Sequence, residues 1–190
     1  MVLKSSKKRR KTEGDEYEGG TLINIVREDQ TYRKAKKQFD LLLQDVDTKS
    51  LIHELFTLQT SRNVNTLNRK VLQDALRKIV DASVDEILTR SRATTIKMQA
   101  LQALIAIEEI TSHLSKYLLA KYNKQMKMEG HTTITAQRAQ VDVYMRRFLE
   151  TKKQLEYVDK LANMVVEDID QSSYSLRRIT DAIDMGRKDR

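Results

Sequence analysis

The sequence predicts an all-α protein: an elongated helical bundle with a long antiparallel, coiled-coil-like helical hairpin and a flexible N-terminal tail. Three observations carry this. Proline, cysteine and tryptophan are absent, 33% of residues are charged and only 5% are aromatic. A sheet would use more β-branched and aromatic residues and would need glycine or proline at its turns. Gly130 is the only glycine between Thr21 and Met185, so few chain reversals are enforced. Apolar residues also recur at seven-residue spacing over two long stretches, the pattern of helices packed along one face.

Three regions follow: a tail over 1–20, an N-terminal helical region over 21–92, and a long hairpin over 93–190 that turns at about Gly130. The tail carries Lys4, Lys7, Lys8, Arg9, Arg10 and Lys11, then an acidic, glycine-containing stretch. Only Val2, Leu3 and Tyr17 offer apolar surface there. That is too little to offset the conformational entropy of ordering, so the segment is expected to stay flexible until a partner holds it.

In the second region Ile25, Tyr32, Phe39 and Val46 are seven apart, with Ala35 and Leu42 three residues beyond two of them. The short β-branched run from Thr21 to Val26 offers an extended segment as the alternative at its start. A second helix opens near Asp47 or Thr48 and presents Leu51, Ile52, Leu55, Phe56 and Leu58. The apolar register then lapses through Thr60–Asn65, where hydroxyl and amide side chains compete for backbone hydrogen bonds, so a kink or loop is expected. It resumes from Val64 to Ile87. Ser83 with Glu86 reads as a capping box and suggests a second break near Asp81–Ser83. Ser91–Thr95 suggests a firmer one.

The following helix places Ile96, Ala100, Ala103, Ile107, Ile110, Leu114 and Tyr117 at alternating steps of four and three, with Leu101, Leu104 and Ile105 beside them. Such wide apolar coverage predicts packing on more than one side. At Glu129–His131 glycine can take the left-handed conformation that ends a helix, and Thr132 or Thr133 can cap the next. The returning helix carries Val141, Phe148, Leu155, Ala162, Ile169, Leu176 and Ile183 seven apart, and Val158, Val165 and Ile179 three residues after three of them. We assign these ten residues to helix association. A strict seven-residue repeat favours left-handed supercoiling against another helix, within the chain or between chains.

Few catalytic chemistries fit. Without cysteine there is no thiolate nucleophile, disulfide or zinc–thiolate site. The three histidines, His53, His113 and His131, are far apart, and Ser50 and Ile110 stand three residues before the first two, where a di-iron bundle would place glutamate. No metal or other cofactor is expected. Glycine-rich phosphate loops and nucleophile elbows have no counterpart. Glu108, Glu109, Glu167, Asp168 and Asp170 lie in charge-rich helical sequence and read as solvated faces. The expectation is a protein that is not an enzyme.

Net charge is +8, from 35 Lys and Arg against 27 Asp and Glu, which favours an anionic partner. The five consecutive cations Lys7–Lys11 suit phosphate contact without base reading; nuclear import and solubility are the other readings of such a run. Arg146, Arg147, Lys152, Lys153, Arg177 and Arg178 form secondary basic groups, with Tyr144, Tyr157 and Tyr174 nearby. Tyr144 sits on the apolar stripe and reads as core. The leading expectation is a structural or assembly protein that self-associates and contacts nucleic acid, DNA or RNA, or a nucleoprotein particle through its tail, a plan shared by small viral packaging subunits, recombination accessory proteins and nucleoprotein coat subunits. The alternative is a coiled-coil adaptor or scaffold subunit of a multiprotein complex. With no apolar run near the ~18 residues of a spanning helix, no membrane is expected, and the setting is intracellular, cytoplasmic or virion-associated, or nuclear in a eukaryote.

Overall fold

The computed structural model describes residues 22–62 and 72–188. Among them every element is a helix: α1 (Leu22–Glu28), α2 (Gln30–Asp45), α3 (Thr48–Thr60), α4 (Leu72–Met128), α5 (Ile134–Tyr144) and α6 (Arg146–Lys188). Helices α4 and α6 form the long hairpin, and α1 to α3 pack along it. The expected all-α helical hairpin is therefore the architecture.

Helix α4 runs for 57 residues, about 85 Å at ~1.5 Å per residue. The breaks expected near Asp81–Ser83 and Ser91–Thr95 do not occur. Their hydroxyls bond backward along the helix instead: Ser83 donates to the Ile79 carbonyl at 2.8 Å, Thr94 to that of Arg90 at 2.8 Å and Thr95 to that of Ser91 at 3.0 Å. A hydroxyl satisfied four residues back is compatible with an uninterrupted helix, and Ile79, Ala93 and Ile96 bury on both sides of the anticipated breaks. Glu86, the expected capping partner, is buried beside Arg62.

The first apolar stripe is divided. Asp29 adopts φ −59°, ψ 133°, ends α1 and caps α2 by accepting from the Thr31 and Tyr32 amides. The extended alternative at Leu22 and Ile23 is not adopted, since both lie in α1. Tyr32, Ala35 and Phe39 are buried, while Ile25, Leu42 and Val46 are half-buried. Asp47 caps α3 through the Lys49 amide. On α3, Leu55 is fully buried, whereas Phe56 stays 44% exposed, so the α3 face is narrower than its apolar content suggested. The chain leaves α3 at Thr60, and residues 63–71 lie outside the described part.

The hairpin turns at Gly130, whose φ of +93° is the left-handed geometry glycine adopts without strain. The His131 amide donates to Met126 O at 2.9 Å and the Gly130 amide to Lys127 O at 3.1 Å, the paired bonds of a Schellman ending. Thr133 then caps α5 by accepting from the Ala136 amide. Buried Gln137 ties the turn, donating to Asn123 Oδ1 and to the His131 carbonyl.

The returning helix was expected as one piece, but Met145 interrupts it between α5 and α6. The Tyr144 carbonyl at this point accepts the Tyr32 hydroxyl at 3.1 Å, so α2 supplies a donor where the ladder is loosened. Register survives the interruption. Val141, Phe148, Leu155, Val158, Ala162, Val165, Ile169 and Leu176 are all buried, Ile183 is half-buried, and Ile179 is 41% exposed. Against them lie Ile96, Ala100, Ala103, Ile107, Leu114 and Leu118 of α4. The row from Val141 to Ile169 thus packs in the core of a single chain, and its last turns do not.

Candidate functional site

The six tail cations, Lys4, Lys7, Lys8, Arg9, Arg10 and Lys11, lie outside the described residues. The secondary basic groups are described, and the fold does not gather them into one patch. Arg146 to Arg178 spans 32 steps of one helix, about 48 Å at ~1.5 Å each. Those near the start of α6 are largely engaged. Arg146 pairs with Glu150 at 2.9 Å, Arg147 with Asp40 at 3.2 Å, and Lys152 with Glu108 at 2.8 Å. Arg147 also lies over the Phe39 ring. Among the described residues, no carboxylate lies within pairing distance of Lys153, Arg177 or Arg178, all exposed. Tyr157 and Tyr174 are exposed, with Arg178 over the Tyr174 ring at 6.0 Å, while Tyr144 is buried and its hydroxyl accepts from Gln140.

The acidic clusters are engaged as well. Asp170 holds Arg90 through both oxygens, at 2.7 and 3.3 Å, and Asp168 accepts from Arg62. Arg62 also donates to Glu86 at 3.0 Å, and both of these side chains are buried. Glu54 on α3 receives Arg92 in a two-oxygen contact. These pairs stitch α3, α4 and α6 together. Among the described residues no three His, Asp or Glu side chains converge as metal ligands, and no helix is long and apolar enough to cross a membrane.

The densest polar cluster is one that sequence reasoning passed over. Asp29 Oδ1 caps α2, while Oδ2 accepts from Lys121 Nζ at 2.5 Å, Tyr122 OH at 2.9 Å and Tyr117 OH at 3.0 Å. Desolvation pushes this carboxyl upward, but Lys121, the Tyr32 amide and the Tyr122 and Tyr117 hydroxyls outweigh it and hold the pKa far below the usual carboxylate range. Its bonds to Asp29 and to the Tyr117 hydroxyl hold Lys121 above its ordinary value. Burial, together with its bond to Asp29, pushes Tyr122 up to about 12. Lys121 also sits over both tyrosine rings, at 5.3 and 5.5 Å. A carboxylate so saturated with donors is a poor proton acceptor near neutrality, so the cluster locks α1 and α2 to α4. The signal in sequence was an aspartate inside an apolar helical pattern, with Tyr117, Lys121 and Tyr122 within two turns of each other elsewhere.

Beside this cluster α2 and α4 leave an open groove of about 640 Å³. Ala35, Leu42, Ala106 and Ile110 form its floor, and Lys34, Glu109 and His113 its rim. The small side chains at Ala35 and Ala106 explain the space. Compared with known proteins, the chain matches no family model, no curated protein and no solved structure. Function must be argued from the chain's own chemistry.

Proposed function

We propose that this is a non-catalytic helical assembly protein that self-associates and contacts nucleic acid or a nucleoprotein particle through its basic N-terminal tail. The observation that carries the reading is the run of five consecutive cations, Lys7–Lys11, on a chain of net charge +8. Such a run can follow a phosphate backbone and release its counterions without reading bases. The engaged state of Arg147 and Lys152 supports giving the phosphate-binding role to the tail and a packing role to the start of α6. Lys153, Arg177 and Arg178 supply secondary cations along the exposed side of α6.

The test is a salt titration of duplex and single-stranded nucleic acid binding for the full chain and for residues 21–190. With six tail cations, removal should flatten the salt dependence on duplex DNA by up to about 5 in log–log slope, at ~0.9 per phosphate neutralised. Binding that is absent at low salt in the full chain, or unchanged without the tail, overturns the reading. If the chain instead gains stability from a protein partner alone, the adaptor reading replaces it.

A further inference from the structure

The outer face of α4, turned away from α6, carries an apolar row that has no partner among the described residues. Val80, Val84, Ile87 and Leu88 at one end are 60, 50, 65 and 63% exposed, and Met98 and Ile105 at the other are 51 and 66% exposed. Val80, Val84, Ile87, Ser91, Thr94, Met98, Leu101 and Ile105 follow each other by alternating steps of four and three. That is a second heptad seam of about three and a half heptads and ~38 Å. It lies roughly opposite the positions spent on the core, Ile79, Glu86, Ala93, Ile96, Ala100, Ala103 and Ile107, all buried.

The seam has an internal symmetry. About the midpoint between Arg92 and Ala93, Val80 mirrors Ile105, Val84 mirrors Leu101, Ile87 mirrors Met98, and Ser91 mirrors Thr94. Two copies crossing there in opposite directions would set these pairs face to face, with each a-type position opposite a d-type one. The flanking charges obey the same relation. Arg77, one step beyond Val80 in the heptad, mirrors Glu108, with Lys78 and Glu109 beside them; all four are exposed, and Glu108 also holds Lys152 of its own chain. A parallel pairing would set Arg77 against Arg77 and Glu108 against Glu108, and like charges in such positions oppose association. Arg90 and Lys97 are the like charges that approach in the antiparallel arrangement, and Asp170 already holds Arg90.

We propose that this face is an antiparallel self-association seam and that its occupant is α4 of a second copy of this chain. The inference deepens the self-association part of the proposed function and does not depend on the nucleic-acid part. The Thr94 hydroxyl at the centre is satisfied by the Arg90 carbonyl, so closing the seam does not strand that donor. The small, polar Ser91 and Thr94 add little apolar area, which makes the association weaker than in an all-aliphatic seam.

Because the chain lacks cysteine, orientation can be read by cross-linking the full-length protein. Val80→Cys and Ile105→Cys variants should each cross-link poorly alone and efficiently when mixed. Sedimentation without nucleic acid should show Ile87→Glu weakening self-association at least tenfold while helicity by circular dichroism is kept. Arg77→Glu and Glu108→Arg should each weaken it, and the double variant should recover it. Efficient cross-linking of Val80→Cys with itself overturns the antiparallel seam. A dimer indifferent to Ile87→Glu overturns this surface but leaves self-association standing. A chain that is monomeric at every concentration overturns both.

Discussion

Lys121 Nζ lies 2.5 Å from Asp29 Oδ2, joining the C-terminal end of α4 to the residue that separates α1 from α2. The lysine is half exposed and the carboxylate buried, so the aspartate carries most of the desolvation and depends on its donors. Asp29→Ala removes the cap and strands the Tyr122 hydroxyl. The cap is worth about 1 kcal/mol, and a stranded buried donor costs roughly 1–3 kcal/mol. A loss of about 2–4 kcal/mol is therefore expected by urea denaturation. Asp29→Asn keeps a capping oxygen and should cost less, leaving the charge contribution as the difference.

The same cluster sets a pH dependence on both flanks. Asp29 has a folded pKa below its unfolded value, so its stabilisation is complete above the unfolded value of about 3.9 and is lost as pH falls through the folded one. Tyr122 is raised to about 12, so its contribution is complete below the unfolded value of about 10 and is lost as pH rises toward the folded one. Lys121, also raised, acts in the same alkaline direction. Urea midpoints measured across pH should show the gap between wild type and Asp29→Asn closing in acid. Tyr122→Phe should remove part of the alkaline loss.

The hairpin was legible because its signals are local and mutually consistent: a lone glycine, a threonine cap and an unbroken seven-residue row. Reading failed where a tertiary partner chose between local options. Thr94 and Thr95 can cap a helix or bond back into one, and the burial of Ala93 and Ile96 against the rest of the bundle favours the second. Asp29 was invisible as a junction because its three side-chain partners lie 88 or more residues away. The exposed apolar row on α4 is hidden in the sequence for a related reason. Until the inward face was known, two apolar rows on one helix could not be told apart.

Gly130 isolates a backbone effect. A Cβ placed there meets nothing within 4 Å, so no clash would arise, but its φ of +93° remains strained for any L side chain. Gly130→Ala should therefore cost about 1–2 kcal/mol by thermal or urea denaturation. A cost near zero would show that the Schellman ending rearranges without penalty.

Two arginines separate buried from exposed pairing. Arg62 and Glu86 have side chains 7% and 5% exposed, and Arg62→Ala leaves Glu86 without its charged partner, with an expected loss of about 3–5 kcal/mol. Arg90 and Asp170 are half exposed, and Arg90→Ala should cost far less than Arg62→Ala, and less again at high salt. Replacing Arg62 and Glu86 together by leucine should recover most of the first loss. Equal effects of the two alanine variants would mean that the Arg62 pair is hydrated in solution.

Leu155 and Phe148 distinguish packing within a chain from packing between chains. Phe148 lies against Phe39 with ring centroids 4.4 Å apart and meets Tyr32 edge-on at 6.1 Å, and Leu155 is fully buried. Leu155→Ala should cost about 2–5 kcal/mol and Phe148→Ala about 3–5 kcal/mol. Leu155→Asp, which places a charge among apolar side chains, should abolish the native packing. Since both residues are buried in the core cluster of their own chain, the alanine losses should not depend on protein concentration, whereas the effect of Ile87→Glu on assembly should. Denaturation of each variant across a range of protein concentrations checks this. A Leu155→Ala deficit that shrinks as the protein is diluted would move the row from the interior of one chain to the contact between two.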